Sequence, residues 1–85
     1  MSREELRAAI LAALAEIAPE ADPLALRDEI PLRDQLDLDS MDFLNLLIGV
    51  HERTGVEIPE ADYGELGSLG QLVAYLEARQ PARGG

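Results

Sequence analysis

The sequence contains no cysteine, lysine or tryptophan, and its only aromatic residues are Phe43, Tyr63 and Tyr75. The absence of cysteine excludes a disulfide framework, a thiolate zinc site and a cysteine nucleophile. Any sulfur chemistry must therefore be supplied by another molecule. Because aromatics are scarce, the 47% of hydrophobic residues consists mainly of Leu, Ala, Ile and Val, which predicts an aliphatic core.

Long apolar runs are also absent. No run approaches the roughly 20 residues that span a bilayer, and the first five residues include two acids where a signal peptide would be apolar. We therefore expect a cytoplasmic protein without membrane insertion. A chain of 85 residues has room for one domain but little room for a deep catalytic cleft, which makes an enzyme the weaker hypothesis.

Positive charge is scarce as well, and the formal net charge is −10. This charge disfavours binding to nucleic acid and to anionic membranes. Residues 34–78 contain ten acids and a single cation, Arg53, and so carry a net charge of −9, whereas the remainder is nearly neutral. An acidic surface can serve solubility alone, but this concentration favours a docking surface for basic partners.

The hydrophobic spacing predicts three longer helices. Residues 2–17 carry one apolar stripe after a capping box formed by Ser2 and Glu5. A second helix is predicted at 40–54, with Asp39 as its N-cap and Gly55 just beyond its end. A third runs from the Ser68 cap to Arg79.

The remaining segments are predicted to connect these helices. Residues 18–38 show no sustained period and predict a long ordered loop held by its leucines, or a loop that contains a short helical turn. Residues 56–59 are predicted to be an extended connection, and 59–63 a short helix. The fold class is therefore all-α: a small four-helix bundle, with three longer helices and one short, and a long first loop. We expect a domain over 1–79 and a flexible tail over 80–85.

The second helix is apolar around much of its circumference. Its main face is predicted to hold Met41, Leu44, Leu47, Ile48 and His51, with Phe43, Leu46 and Val50 on a flank. Five of these and later apolar residues are expected to form core: Leu44, Leu47, Ile48, Leu72 and Leu76. Gly49 in the helix interior predicts a close packing contact.

Ser40 is the residue whose position points to chemistry. It lies at the start of the second helix, where free N–H groups and the helix dipole favour a phosphate, so a phosphoester at Ser40 is physically plausible. His51 lies about three turns away, too far to act as its base, which disfavours a serine hydrolase. No second ligand is spaced with His51, so we predict no metal site and no catalytic residue.

The chain resembles an acyl carrier protein from its first helix to Leu76. The resemblance rests on Leu36-Asp37-Leu38-Asp39-Ser40-Met41-Asp42, on the apolar helix that ends before Gly55, and on Val56-Glu57-Ile58-Pro59. It implies that a phosphopantetheinyl transferase esterifies Ser40 with 4′-phosphopantetheine, whose thiol carries acyl thioesters. The pathway would be fatty-acid, polyketide or related lipid biosynthesis, and the carrier, expected to be a monomer, would be a substrate for acyl-loading, condensing and transferring enzymes.

The resemblance also implies roles for the neighbours of Ser40. Asp39 and Met41 match the supporting motif, and Asp42 and Glu52 match acids that dock on basic patches of partner enzymes. Three further positions of this predicted docking surface depart from the fatty-acid carriers: Asp37 replaces a common glycine, Asn45 a frequent glutamate, and Phe43 a smaller or polar residue. These departures leave the pathway open.

Three alternatives remain at this point. A peptidyl or aminoacyl carrier would use the same serine with a different cargo. A ubiquitin-like modifier or sulfur carrier is suggested by Arg83-Gly84-Gly85, but that family has a strand-rich fold, and no alternating strand pattern is present. An acidic helical adaptor would leave Ser40 unmodified.

Overall fold

The computed structural model describes residues 1–80. Within this range four α-helices occur: α1 (Arg3–Ile17), α2 (Leu32–Gln35), α3 (Ser40–Thr54) and α4 (Leu69–Arg79). Two 3-10 helices, Pro23–Ala25 and Glu60–Glu65, lie in the connections. The predicted all-α bundle with three longer helices is confirmed, and the described residues contain three short helical segments where the sequence predicted one. Of the predicted tail, residues 81–85 lie outside the described part.

Each longer helix begins with a reciprocal capping box. The Ser2 hydroxyl accepts from the Glu5 N–H at 3.1 Å, and the Ser68 hydroxyl accepts from the Gln71 N–H at 3.2 Å. Helix α3 ends at Gly55, whose φ of +73° is a left-handed conformation that glycine adopts without steric cost. The predicted ends of all three helices are therefore confirmed to within a residue.

Helix α1 packs against both α3 and α4, and the core lies between these three helices. Leucines dominate it, with support from α2 and from the segment before α4. Its fully buried large side chains are Leu6, Ile10, Leu32, Leu46, Leu47, Val50, Val56, Leu66, Leu69, Leu72 and Leu76. The predicted aliphatic core is confirmed, and no polar side-chain atom buried in residues 1–80 lacks a hydrogen-bond partner.

The buried face of α3 differs from the predicted one. Leu46 and Val50, placed on the flank by the sequence, are fully buried, whereas Met41 is 62% and Ile48 45% exposed. The prediction that Ile48 belongs to the core was wrong, and Leu44 is only half-buried. The reason is that apolar residues surround most of the helix, so their period does not select a face.

Gly49 marks the face of α3 that packs. A Cβ at Gly49 would lie 3.2 Å from the Ala13 Cβ of α1, closer than ordinary van der Waals contact. The close contact predicted for this glycine is therefore confirmed, and it brings the two helices together where both have small residues.

The first loop is held differently from the prediction. Leu24 is 95% exposed and does not anchor the loop, whereas Leu32 of α2 is fully buried. The Leu32 N–H donates to the Gly67 carbonyl at 2.7 Å, beside an isolated bridge between Pro31 and Ser68. The loop is thus tied to the segment before α4 by its backbone as well as by its apolar side chains.

Candidate functional site

Ser40 is the first residue of α3, and its side chain is exposed. Within residues 1–80 its hydroxyl has no hydrogen-bond partner, so nothing in this part of the chain competes for the oxygen or restricts its approach. An exposed, unpartnered hydroxyl at an ordered helix start fits the attachment of a phosphoryl-linked group.

Two carboxylates fix the backbone around Ser40. Asp39 Oδ1 accepts from the Asp42 N–H at 2.8 Å, and Asp42 Oδ2 accepts from the Asp39 N–H at 3.3 Å. This capping box uses the Asp42 amide, while the amides of Ser40 and Met41 make no hydrogen bond within the described residues. Those two N–H groups, at the positive end of a 15-residue helix, suit a phosphate oxygen.

The sequence-predicted docking residues do not all lie together. Asn45 and Glu52 are exposed and follow Met41 and Ile48 at helical spacing, so these four form one exposed stripe along α3, which we call the α3 stripe. Asp37 and Asp42, also assigned to docking, lie next to its Ser40 end; Asp37 is exposed and Asp42 half-buried.

Phe43 lies apart from the α3 stripe. Its side chain is half-buried and packs against the core. The structure therefore brings Asn45 and Glu52 together and separates Phe43 from them, because residues two apart on a helix face different directions.

A groove that the sequence did not predict lies beside the second half of α3. We call it the α3 groove; it has a volume of about 420 Å³ and is lined by Leu47, Ile48, His51, Glu57, Ile58, Pro59 and Tyr63. The signal available in the sequence was the apolar pair Ile58-Pro59, which begins four residues after the end of α3 and predicted only an extended connection.

His51 is one of the residues that line this groove. Its Nδ1 is 2.7 Å from the Val56 carbonyl oxygen, which can only accept, so Nδ1 carries the proton and donates. Residues 1–80 contain no group of three or more His, Cys, Asp or Glu side chains able to hold a metal ion. In this structure, His51 is bonded to the backbone that follows α3.

One wall of the groove is fastened to α4. The Tyr75 hydroxyl donates to Asp62 Oδ2 at 2.6 Å, and Arg79 lies 3.7 Å from the same oxygen and 4.7 Å from the centre of the Tyr75 ring. Burial raises the pKa of Tyr75 above its ordinary value of 10.0, and donation to Asp62 raises it further, while Arg79 acts in the opposite direction. These contacts hold the Glu60–Glu65 segment, which has no fully buried residue of its own.

The single cation of the acidic stretch is already engaged. Arg53 Nη2 lies 2.8 Å from Glu16 Oε1 of α1, and Arg53 Nη1 reaches the Gly49 carbonyl at 3.4 Å. Arg53 is therefore directed toward α1, which leaves the acids of the α3 stripe and its surroundings without a neutralising partner from residues 34–78.

Among the helices of residues 1–80, none combines the length and the apolar composition that a membrane span requires.

Comparison with known proteins agrees with this geometry. A family model described as "Phosphopantetheine attachment site" matches residues 8–76, which include most of α1 and all of α2 and α3. Phosphopantetheine is thus the cofactor of the class to which this fold and site correspond, as the sequence predicted.

Curated relatives identify the family within that class. The chain is 34% identical over 71 residues to the meromycolate extension acyl carrier protein of Mycolicibacterium aurum, covering 80% of this chain and 73% of the relative. It is also 34% identical over 74 residues to the acyl carrier protein of Renibacterium salmoninarum, covering 84% and 91% respectively. The chain belongs to the acyl carrier protein family.

Proposed function

We propose that the Ser40 hydroxyl carries 4′-phosphopantetheine, covalently bound as a phosphoester, and that the protein transports acyl groups on the thiol of this arm. The observation that carries the proposal is the exposed, unpartnered Ser40 hydroxyl at the capped start of α3, within the region matched by the family. When attached, the arm supplies the only thiol, since the chain has no cysteine.

The residues around Ser40 present the hydroxyl and do not activate it. Asp39 and Asp42 fix the helix start, and Met41, which is 62% exposed, offers an apolar contact to a phosphopantetheinyl transferase. The one histidine is about 16 Å along the helix by its rise per residue and is bonded to the Val56 carbonyl. We infer that the chain is a substrate of other enzymes and not itself an enzyme.

The intact mass of the protein tests this proposal. Coexpression with a broad-specificity phosphopantetheinyl transferase should raise the mass by one phosphopantetheine, and Ser40→Ala should abolish the increase. Ser2→Ala is a matched control, because Ser2 is also an exposed serine at a helix start. An unmodified wild-type protein would refute the proposal and favour an acidic adaptor.

We further propose that the cargo belongs to fatty-acid, polyketide or related lipid biosynthesis. The relative from Mycolicibacterium aurum is named for meromycolate extension, which supports a lipid cargo. The second candidate is a peptidyl or aminoacyl carrier, since the departures at Asp37, Phe43 and Asn45 leave the pathway open. Loading assays with acyl, malonyl and aminoacyl donors separate the two: efficient aminoacyl loading and no acyl loading would overturn the lipid assignment.

The α3 stripe, together with Asp37 and Asp42, is proposed to receive basic patches on partner enzymes. The stripe combines two exposed apolar side chains, Met41 and Ile48, with Glu52, and no cation from residues 34–78 neutralises it. Opposite charges steer encounter and are screened by salt, so association with a partner enzyme should slow about tenfold between low and high ionic strength. Glu52→Gln should reduce this salt dependence, and a rate that is flat in salt would refute steering.

The same proposal includes a single carrier domain over residues 1–79 that acts as a monomer in the cytoplasm. Its small size and the exposed α3 stripe suit a protein that visits several enzymes in turn. Sedimentation of the modified protein should give the mass of one chain, and a stable dimer would contradict this part of the proposal.

A further inference from the structure

Arg53 is held on the α1 side of α3 by two groups. Its Nη2 donates to Glu16 Oε1 at 2.8 Å, and its Nη1 donates to the Gly49 carbonyl at 3.4 Å. A Cβ at Gly49 would lie 3.5 Å from Nη1, so the guanidinium lies close against this turn of the helix. The side chain of Arg53 is 31% exposed and that of Glu16 is 67% exposed. The cation therefore lies between the two helices and not in open solvent.

The acids nearest to Arg53 in the sequence have no such partner. Glu52 and Glu57 are exposed, and within residues 1–80 neither carboxylate makes a hydrogen bond or an ion pair. Consecutive residues of an α-helix point about 100° apart, so a flexible arginine at position 53 can extend toward α1 on one side or toward Glu52 on the other. Glu52 belongs to the α3 stripe. An arginine that extended toward it would place a positive charge on the proposed docking surface.

The charge of Glu16 favours the first of these orientations. Glu16 lies near the end of α1 and meets the guanidinium directly, whereas Glu52 is poorly placed to compete because adjacent residues of a helix do not face each other. Without the Glu16 carboxylate, the guanidinium would keep only its long bond to the Gly49 carbonyl. The unpaired carboxylates of Glu52 and Glu57 would then be the charges that attract it.

We propose that Glu16 is a positioning residue for partner docking. By pairing with Arg53 it keeps the one cation of residues 34–78 off the α3 stripe, so that the surface beside Ser40 stays anionic and selects basic partners. Glu16 acts on the docking surface through Arg53 and not by contact with the partner. Since this role concerns the docking of basic partners on the α3 stripe, it rests on that part of the proposed function.

The experiment measures how fast a broad-specificity phosphopantetheinyl transferase modifies Ser40, with coenzyme A in excess, as kcat/KM for the carrier. At about 0.1 M ionic strength the screening length is roughly 10 Å, so charges close to the docking surface dominate. Glu16→Gln should lower kcat/KM about threefold, the scale of one unit charge brought beside the surface in water. Glu20→Gln is the matched control: it removes the same charge from an exposed acid that has no partner within residues 1–80, and should leave kcat/KM nearly unchanged.

A second substitution assigns the effect to Arg53. In the Glu16→Gln background, Arg53→Gln removes the displaced cation and should restore kcat/KM to about the wild-type value. In the wild-type background the same substitution should raise kcat/KM by less than about 1.5-fold, because the cation is already held at α1. Such non-additivity indicates positioning, since a general loss of packing would not be repaired by removing a second side chain. Partly exposed ion pairs contribute little to stability, so the variants should fold, and circular dichroism checks this.

Failure of the proposed function and failure of this role give different results. If wild-type Ser40 acquires no arm, or if its modification is equally fast at about 0.01 M and about 1 M ionic strength, the proposed attachment or steering fails and the role of Glu16 fails with it. If modification depends on salt but Glu16→Gln matches Glu20→Gln, only the role of Glu16 is overturned. It is also overturned if Arg53→Gln raises kcat/KM equally in both backgrounds, since Arg53 would then act on the docking surface whether or not Glu16 holds it.

Discussion

The two faces of α3 differ in how completely they are packed. On the face toward α1, Leu46 and Val50 are fully buried and Gly49 meets Ala13 at close range. On the open face, Met41 and Ile48 leave roughly half of their surface or more in solvent and lie near Ser40 and the α3 groove. Both faces carry large apolar residues in the sequence, so the hydrophobic pattern alone does not separate the face that stabilises the fold from the face available for function.

The largest expected effect comes from truncating one leucine-sized side chain on each face. Leu46→Ala removes buried methyl groups and leaves a cavity, so the free energy of unfolding should fall by about 3 kcal/mol. Ile48→Ala on the open face should cost less than about 1 kcal/mol, since much of Ile48 is already hydrated. Urea denaturation measures both, and equal losses would contradict the division of α3 into a packed and an open face.

The second largest loss of stability is expected at the contact between Gly49 and Ala13. Gly49→Leu forces extra atoms into a space where even a Cβ would lie 3.2 Å from that of Ala13, and should cost about 2 kcal/mol. Combining it with Ala13→Gly should recover part of the loss. Gly64→Ala is the control, because nothing lies within 4 Å of a Cβ there. A fully tolerated Gly49→Leu would show that α1 and α3 pack less closely than described.

The hydrogen bond that holds the Glu60–Glu65 segment to α4 should contribute somewhat less to the free energy of unfolding. Tyr75→Phe removes the hydrogen bond to the Asp62 carboxylate and should lower the free energy of unfolding by about 1.5 kcal/mol at neutral pH. The same substitution should shift the NMR signals of Tyr63, which lines the α3 groove beside the open face, and should leave those of Leu46 on the packed face unchanged. Signals that move equally on both faces would indicate a general loosening of the fold.

The raised pKa of Tyr75 adds a pH dependence of known sign. The folded state holds the phenolic proton more tightly than the unfolded state, so this contribution to stability is complete below the ordinary pKa of 10.0 and is lost as pH rises through the higher folded pKa. The difference in stability between wild type and Tyr75→Phe should therefore shrink above pH 10. A difference that stays constant there would contradict the assignment.

The smallest effect on stability is expected at the N-terminal end of α3, where its packed and open faces meet. Asp39→Ala removes the side chain that caps α3 and should cost about 1 kcal/mol, whereas Asp39→Asn retains an acceptor oxygen and should cost little. Thermal unfolding of the two variants tests this. A large loss with Asp39→Asn would mean that the charge beside the helix dipole, and not the hydrogen bond, holds the start of α3.

The helix ends and Ser40 were predictable because their signals are local. The structure confirms three such boundaries, given by the capping box of Ser2 with Glu5, by the Asp39 N-cap and by Gly55. The same local pattern placed Ser40 at a helix start, and the family comparison confirmed the class of cofactor. Only the structure shows that Ser40 is exposed and that its hydroxyl has no hydrogen-bond partner within residues 1–80.

The features that escaped prediction depend on contacts between distant segments. The buried face of α3 is chosen by α1, and the pair of small residues at Gly49 and Ala13 was the sequence signal that could have identified it. Helix α2 has only four residues, too few to show a period. The α3 groove needs Tyr63, whose place is set by the bond between Asp62 and Tyr75 and by no pattern near α3.

The hydrogen bond from the Leu32 N–H to the Gly67 carbonyl provides a natural reporter of this arrangement. Leu32 is fully buried and precedes α3 in the chain, whereas Gly67, whose carbonyl accepts from its amide, follows α3. Deuterium can replace that proton only when the two connections that flank α3 separate, as distinct from fraying of a single helix. The exchange rate at this one amide therefore measures how often the first loop separates from the segment before α4.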